Sequence, residues 1–72
     1  MKLPRDVPAL DVVKVLSKHG WVAYKQEGSH LYLINSKKEI LQVPMHNALK
    51  TGTLSSIINR SGIDRDVFIS EL

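Results

Sequence analysis

The close spacing of the turn signals between residues 21 and 44 limits the topology of this chain more than any other feature. Trp21–Lys25, His30–Asn35 and Glu39–Val43 are short and rich in β-branched, aromatic or aliphatic residues, and they read as strands. The segments between them, Glu27-Gly28-Ser29 and Asn35-Ser36-Lys37-Lys38, are polar turns too short to hold a crossover helix. Connections of that length favour an antiparallel meander. Pro44 stops the third strand because it has no N–H to give to a ladder. In the second strand the period-2 rule puts His30, Tyr32 and Ile34 on one face and Leu31 and Leu33 on the other.

Helical patterns flank this block. Met1–Val7 is a short lead-in punctuated by Pro4, and Pro8 suits the first helical position, where a missing N–H costs nothing. Ala9, Val12, Val13 and Leu16 then recur on one helical face, and Gly20 follows as a left-handed cap behind Lys18 and His19. Met45–Gly52 reads as a loop, after which Thr53 caps a helix with Leu54, Ile57 and Ile58 on one face and Gly62 at its end. Asp64 opens a last short helical segment from which Val67, Phe68 and Leu72 can dock. The order is helix, three strands, helix and helical tail, an α+β arrangement read as one domain over 1–72. The simplest two-layer packing puts both main helices on one sheet face and leaves the other open to a ligand.

Composition narrows the function classes. A chain of 72 residues buries only about 60% of the surface its unfolded form exposes, so its core is small. With no cysteine it has neither disulfides nor thiolate metal sites, which fits a reducing, cytoplasmic setting. No apolar run approaches membrane-spanning length, so no membrane partner is expected. Ten Lys and Arg against seven Asp and Glu give a net charge of +3, a mild bias toward polyanions.

His30 is the candidate for chemistry. A histidine at a strand end is commonly a solvated surface residue, but here Gly28 permits a tight turn, Ser29 brings a hydroxyl, and an imidazole can both take and give a proton. His19 is explained as a helix-end residue, and His46 is either structural or an aid to binding. His30 and His46 lack an obvious third ligand, so no metal is assigned. Lys25, Lys37, Lys38 and Lys50 lie in or beside loops, where solvation is the ordinary reason for a lysine. Their functional reading is a discontinuous basic surface; Lys50 and Gly52 stand at a helix N-terminus suited to phosphate, as in shape-based recognition of double-stranded RNA. Trp21, Tyr24, Tyr32 and Phe68 are too few for a single-strand stacking platform; Trp21 and Phe68 read as core, and Tyr32 shares the face of His30.

The ordered set Leu16-Ser17-Lys18-His19-Gly20-Trp21, Lys25-Gln26-Glu27-Gly28-Ser29-His30, Val43-Pro44-Met45-His46, Lys50-Thr51-Gly52-Thr53-Leu54-Ser55-Ser56-Ile57-Ile58 and Gly62-Ile63 resembles the HicA-like (YcfA) toxins, small mRNA interferases of toxin–antitoxin modules. Lys25 departs from the Arg that family members often carry, which touches the strength of a phosphate contact. The resemblance implies a double-stranded-RNA-binding-domain-like α-β-β-β-α fold. It implies His30 as the catalytic residue, within a Gly-Ser-His motif, while the residues themselves suggest Lys25, Gly28, Ser29, Lys37, Lys38 and Lys50 as the RNA-binding set. It also implies a HicB-type antitoxin that covers the site, with operator DNA engaged only through that partner.

Cleavage of RNA needs little beyond proton transfer and charge stabilisation, because the 2′-hydroxyl is the nucleophile. His30 can serve as general base or general acid and lysines can stabilise the oxyanion, so metal-independent cleavage to a 2′,3′-cyclic phosphate or the derived 3′-phosphate is expected, with no cofactor. Ser29, Tyr32, His46 and a lysine all remain candidates for the second proton-transfer group. Two other readings stand beside this one: a non-catalytic double-stranded-RNA-binding module, and a degenerate toxin whose task is to bind its antitoxin.

Overall fold

A computed structural model describes residues 2–72, so Met1, counted in the lead-in, lies outside the described residues. The elements run α1 (Ala9–Lys18), β1 (Val22–Glu27), β2 (His30–Ile34), β3 (Ile40–Pro44), α2 (Thr51–Ser61) and α3 (Arg65–Ser70). The three strands form one antiparallel sheet in the order β1-β2-β3, the meander that the short turns favour. The α+β architecture agrees with a double-stranded-RNA-binding-domain-like fold.

α1 starts one residue later than expected, with Pro8 as its N-cap at φ −64°. The register change is small because a proline offers no N–H at either position. Its first N–H, from Ala9, donates to the His46 carbonyl at 3.0 Å. Ala9, Val12, Val15 and Leu16 are buried, whereas Val13 is only half-buried. Both Val13 and Val15 are compatible with a helical stripe, and packing against the sheet selects Val15. At the other end His19 is the C-cap and Gly20 takes φ +93°. The Trp21 N–H reaches back to the Leu16 carbonyl at 3.1 Å, the long hydrogen bond of a Schellman cap. That cap turns the chain so that Trp21 enters the same buried cluster as Leu16. The indole Nε1 donates to the Ser61 carbonyl at 3.3 Å, while the Ser61 hydroxyl donates to the Ile58 carbonyl at 2.6 Å. Trp21 therefore precedes β1 rather than opening it, and its polar tip is satisfied.

The core lies on one side of the sheet. Leu33, Leu41 and Val43 point into it with Leu54, Ile57 and Ile58 of α2, and Leu31 packs at its margin. The lead-in contributes more than expected: Val7 is buried and forms an isolated antiparallel bridge with Leu49, whose N–H donates to the Val7 carbonyl at 2.8 Å. This bridge fixes the chain just ahead of α2. The helix consequently begins at Thr51 with Lys50 as N-cap, and Thr53 lies inside it rather than capping it. Gly52 belongs to the first turn of α2, not to a loop.

α3 is capped as the sequence suggests. Asp64 Oδ1 accepts from the backbone N–H of Asp66 at 3.0 Å and of Val67 at 3.2 Å. Phe68 is fully buried, and Ile69 and Leu72 pack partly against the core. Val67, expected to dock, is 42% exposed, because one face of a six-residue helix cannot bury two adjacent positions equally. Glu71 then ties the tail to the end of α1 through His19 Nε2 at 2.5 Å.

These burials predict a sharp contrast. Phe68→Ala should cost about 3–5 kcal/mol, as for other buried aromatic truncations, which a core this small tolerates poorly. Val67→Ala should stay within about 0.5 kcal/mol. Urea unfolding followed by circular dichroism distinguishes them, and equal midpoints would contradict the placement of α3.

Candidate functional site

The geometry of the open sheet face begins at the hairpin between β1 and β2. Its loop is two residues, Gly28 and Ser29, flanked by the paired residues Glu27 and His30. Gly28 takes φ +59° and Ser29 does not take a positive φ, the sign pattern of a type II′ turn, which suits the twist of the strands. A Cβ on Gly28 would meet nothing within 4 Å, so the demand for glycine here is conformational rather than steric. The turn is braced from both sides. The Gln26 side-chain amide donates to the Gly28 carbonyl at 3.2 Å, and the Met45 N–H donates to the Ser29 carbonyl at 2.6 Å. His30 leaves this braced turn as the first residue of β2, exposed, between Glu27 on β1 and Pro44 on β3.

A β-bulge decides what else shares the face. The register runs Val22↔Ile34 and Ala23↔Leu33, then shifts between Ala23 and Lys25, and resumes as Lys25↔Tyr32, Gln26↔Leu31 and Glu27↔His30. Simple alternation from Val22 would turn Lys25 and Glu27 toward the core side. The extra residue, Tyr24, reverses the parity and brings both to the open face. Lys25 Nζ consequently sits 4.7 Å from the Tyr32 ring centroid and 2.7 Å from Glu27 Oε1. Tyr24 meets Tyr32 edge-on at 6.4 Å between centroids. The Lys25 hydrogen bond, and then its charge, hold the Glu27 carboxyl below its ordinary value, and the same contact raises the Lys25 ammonium above its own.

The expected RNA-binding residues divide into three places. Lys25, Gly28, Ser29 and His30 come together at the hairpin end of the open face. Lys37 and Lys38 do not: they sit in the β2–β3 turn, about 16 Å away along β2 at the usual rise of about 3.3 Å per residue. That turn is built by Asn35, whose Oδ1 accepts from the N–H groups of Lys37 at 3.1 Å and Glu39 at 2.9 Å. Lys50 is also separate. It lines a cleft of about 470 Å³ with Pro44, His46 and Thr53, and Pro44 is the residue that pairs with His30. The cleft therefore abuts the His30 end of the sheet through Pro44.

Two charged residues near these places were not expected as site residues. Glu27 faces His30 across the hairpin, a position readable from the two-residue loop once the strand ends are known. Arg5 lines a shallow cleft with Lys50, brought there by the Val7–Leu49 bridge, for which the sequence carries no local signal. Among the described residues no three His, Asp or Glu side chains converge as a metal-holding group. Among them, too, no helix is long and apolar enough to cross a membrane.

Residues 10–63 match the model of a family described as the HicA toxin of bacterial toxin–antitoxin systems. No curated protein matches the chain.

The Lys25–Glu27 contact has a defined pH window. Because the Glu27 carboxyl is lowered, the pair is in place above the ordinary glutamate value and is lost as pH falls through the lowered one; because the Lys25 ammonium is raised, it persists until pH climbs past that raised value. Lys25→Met should return the Glu27 titration upward toward ordinary glutamate, as read by carboxyl carbon NMR. An unmoved midpoint would mean that the two groups do not pair in solution.

Proposed function

We propose that this chain, which belongs to the HicA toxin family, is a ribonuclease toxin that cleaves mRNA through His30. The observation that carries this reading is the presentation of His30 itself. The imidazole stands exposed at the end of an uncovered sheet face, on a turn braced by two hydrogen bonds to its carbonyls, beside Lys25 and Tyr32. A residue needed only to end a strand has no use for that arrangement.

The reaction follows from the substrate. The 2′-oxygen of the ribose attacks the adjacent phosphorus while the bond to the 5′-oxygen breaks, leaving a 2′,3′-cyclic phosphate and a 5′-hydroxyl. His30 moves a proton in this step, and a positioned acid or base is typically worth about 10²–10⁴-fold in rate. Lys25 supplies positive charge to the non-bridging oxygens, where charge accumulates. Such a reaction has no requirement for a metal. Tyr24 and Tyr32 offer ring surface for a splayed base beside the scissile phosphate. Lys50, at the uncapped start of α2, gives the strand a second anchor reached over Pro44. Lys37 and Lys38 can hold the backbone only of an RNA long enough to run the length of β2.

Family membership supports an antitoxin partner, and a HicB-type protein lying over the open face would block His30 directly. Operator DNA would then be reached through that partner. The setting for this chemistry is the cytoplasm, where mRNA is the abundant target.

The decisive experiment is to incubate the purified chain with RNA and map the ends. His30→Ala should abolish cleavage and growth arrest while leaving the circular dichroism spectrum unchanged, since His30 is exposed. Cleavage should survive EDTA and leave cyclic phosphate termini. RNA that is retained but never cut by the native chain would instead favour a non-catalytic double-stranded-RNA-binding module.

A further inference from the structure

We infer that Glu27 is the second proton-transfer group of this face, held out of use by Lys25 until a substrate phosphate takes its place. The inference rests on the ribonuclease reading and names the general base that reading leaves open. Glu27 and His30 close the two-residue hairpin as directly opposed partners. Residues so opposed have Cβ atoms about 4.5–5.5 Å apart, so a carboxylate and an imidazole stand side by side on the open face. Both project from the braced turn, and the Glu27 side chain is 63% exposed. They can therefore flank a bound ribose-phosphate without any rearrangement of the core.

In the free protein Glu27 Oε1 is occupied by Lys25 Nζ at 2.7 Å. A carboxylate bound to an ammonium is a weak base. A phosphodiester carries the same charge and offers similar oxygen acceptors, so it competes for Lys25 on equal chemical terms. When the phosphate takes the lysine, the carboxylate loses its cation and gains an anion as neighbour, and both changes raise its affinity for a proton. Substrate binding thus strengthens the base at the moment it is needed. The other groups facing the pair are Tyr24 and Lys25 from the same strand and Tyr32 from β2, while β3 contributes only the uncharged Gln42 and Pro44.

The step balances with these two residues alone. The proton of the 2′-hydroxyl passes to the Glu27 carboxylate as the 2′-oxygen bonds to phosphorus. The bond from phosphorus to the 5′-oxygen breaks, and that oxygen takes a proton from the His30 imidazolium. Solvent then returns the proton from Glu27 to His30.

The test is steady-state cleavage of an oligoribonucleotide by the wild-type chain, Glu27→Gln, Glu27→Asp and His30→Ala, with folding checked by circular dichroism. Glu27→Gln should lower kcat about 10²-fold or more. KM should be unchanged or lower, because a negative charge beside the phosphate has been removed. The acidic limb of the pH–rate profile should vanish with it, and Glu27→Asp should restore part of the rate. If the wild-type chain cuts RNA in a His30-dependent manner but Glu27→Gln keeps kcat and the acidic limb, the assignment of Glu27 is wrong while the ribonuclease reading stands. A wild-type chain that leaves RNA intact, or that cuts it without His30, overturns both.

Discussion

The register between β1 and β2 is the constraint on which the rest of this protein depends. Ala23 pairs with Leu33 on the helix side of the sheet, whereas Lys25 and Glu27 lie on the open face with Tyr32 and His30. Regular alternation cannot satisfy both, because residues 23, 25 and 27 would share one side of the sheet. One extra residue in the strand resolves the conflict. Had the strand run straight, Lys25 and Glu27 would have turned to the helix side of the sheet, away from Tyr32 and His30. The composition of the open face near His30 thus depends on the bulge at Tyr24.

The scaffold behind this face is thin, and it is held at few points. Trp21 spans from the end of α1 to the end of α2 through its hydrogen bond to Ser61, and Phe68 closes the cluster from below. Val7 and Leu49 pin the segment before α2. None of these contacts reaches the hairpin tip. Local hydrogen bonds from Gln26 and Met45 do that work instead, so the position of His30 is set by backbone geometry and not by core packing. A protein with so small a core can in this way place one side chain firmly without enlarging its interior.

Much of this was legible in the sequence, and the parts that were not share a cause. The meander, the one-sided packing, the faces of β2 and the Asp64 cap all follow from signals within a few residues of each other, such as Gly28-Ser29 or the alternation Leu31, Leu33. The start of α2 lies three residues earlier than the sequence suggests because it is set by Leu49 pairing with Val7, forty-two positions earlier. Val15 replaced Val13 in the stripe of α1 for the same reason, since both fit a helical period and only the sheet behind them decides. The bulge at Tyr24 has no glycine to announce it, and without it the neighbourhood of His30 cannot be drawn. The lysines illustrate this: Lys25 reaches the face of His30 only through the bulge, whereas Lys37 and Lys38 lie in the turn beyond the far end of β2.

The kink in β1 also bears on how copies of this chain meet one another. β1 is an outer strand, exposed along its whole length, and the outer side of its backbone is not taken up by another strand of the sheet. A straight, uncharged strand in that position is an invitation for a second chain to extend the sheet and seed aggregates. This one is bent at Tyr24 and carries a cation and an anion two residues apart. It is accordingly a poor template for its own kind, and the irregularity that arms the face also keeps its border closed to unwanted growth.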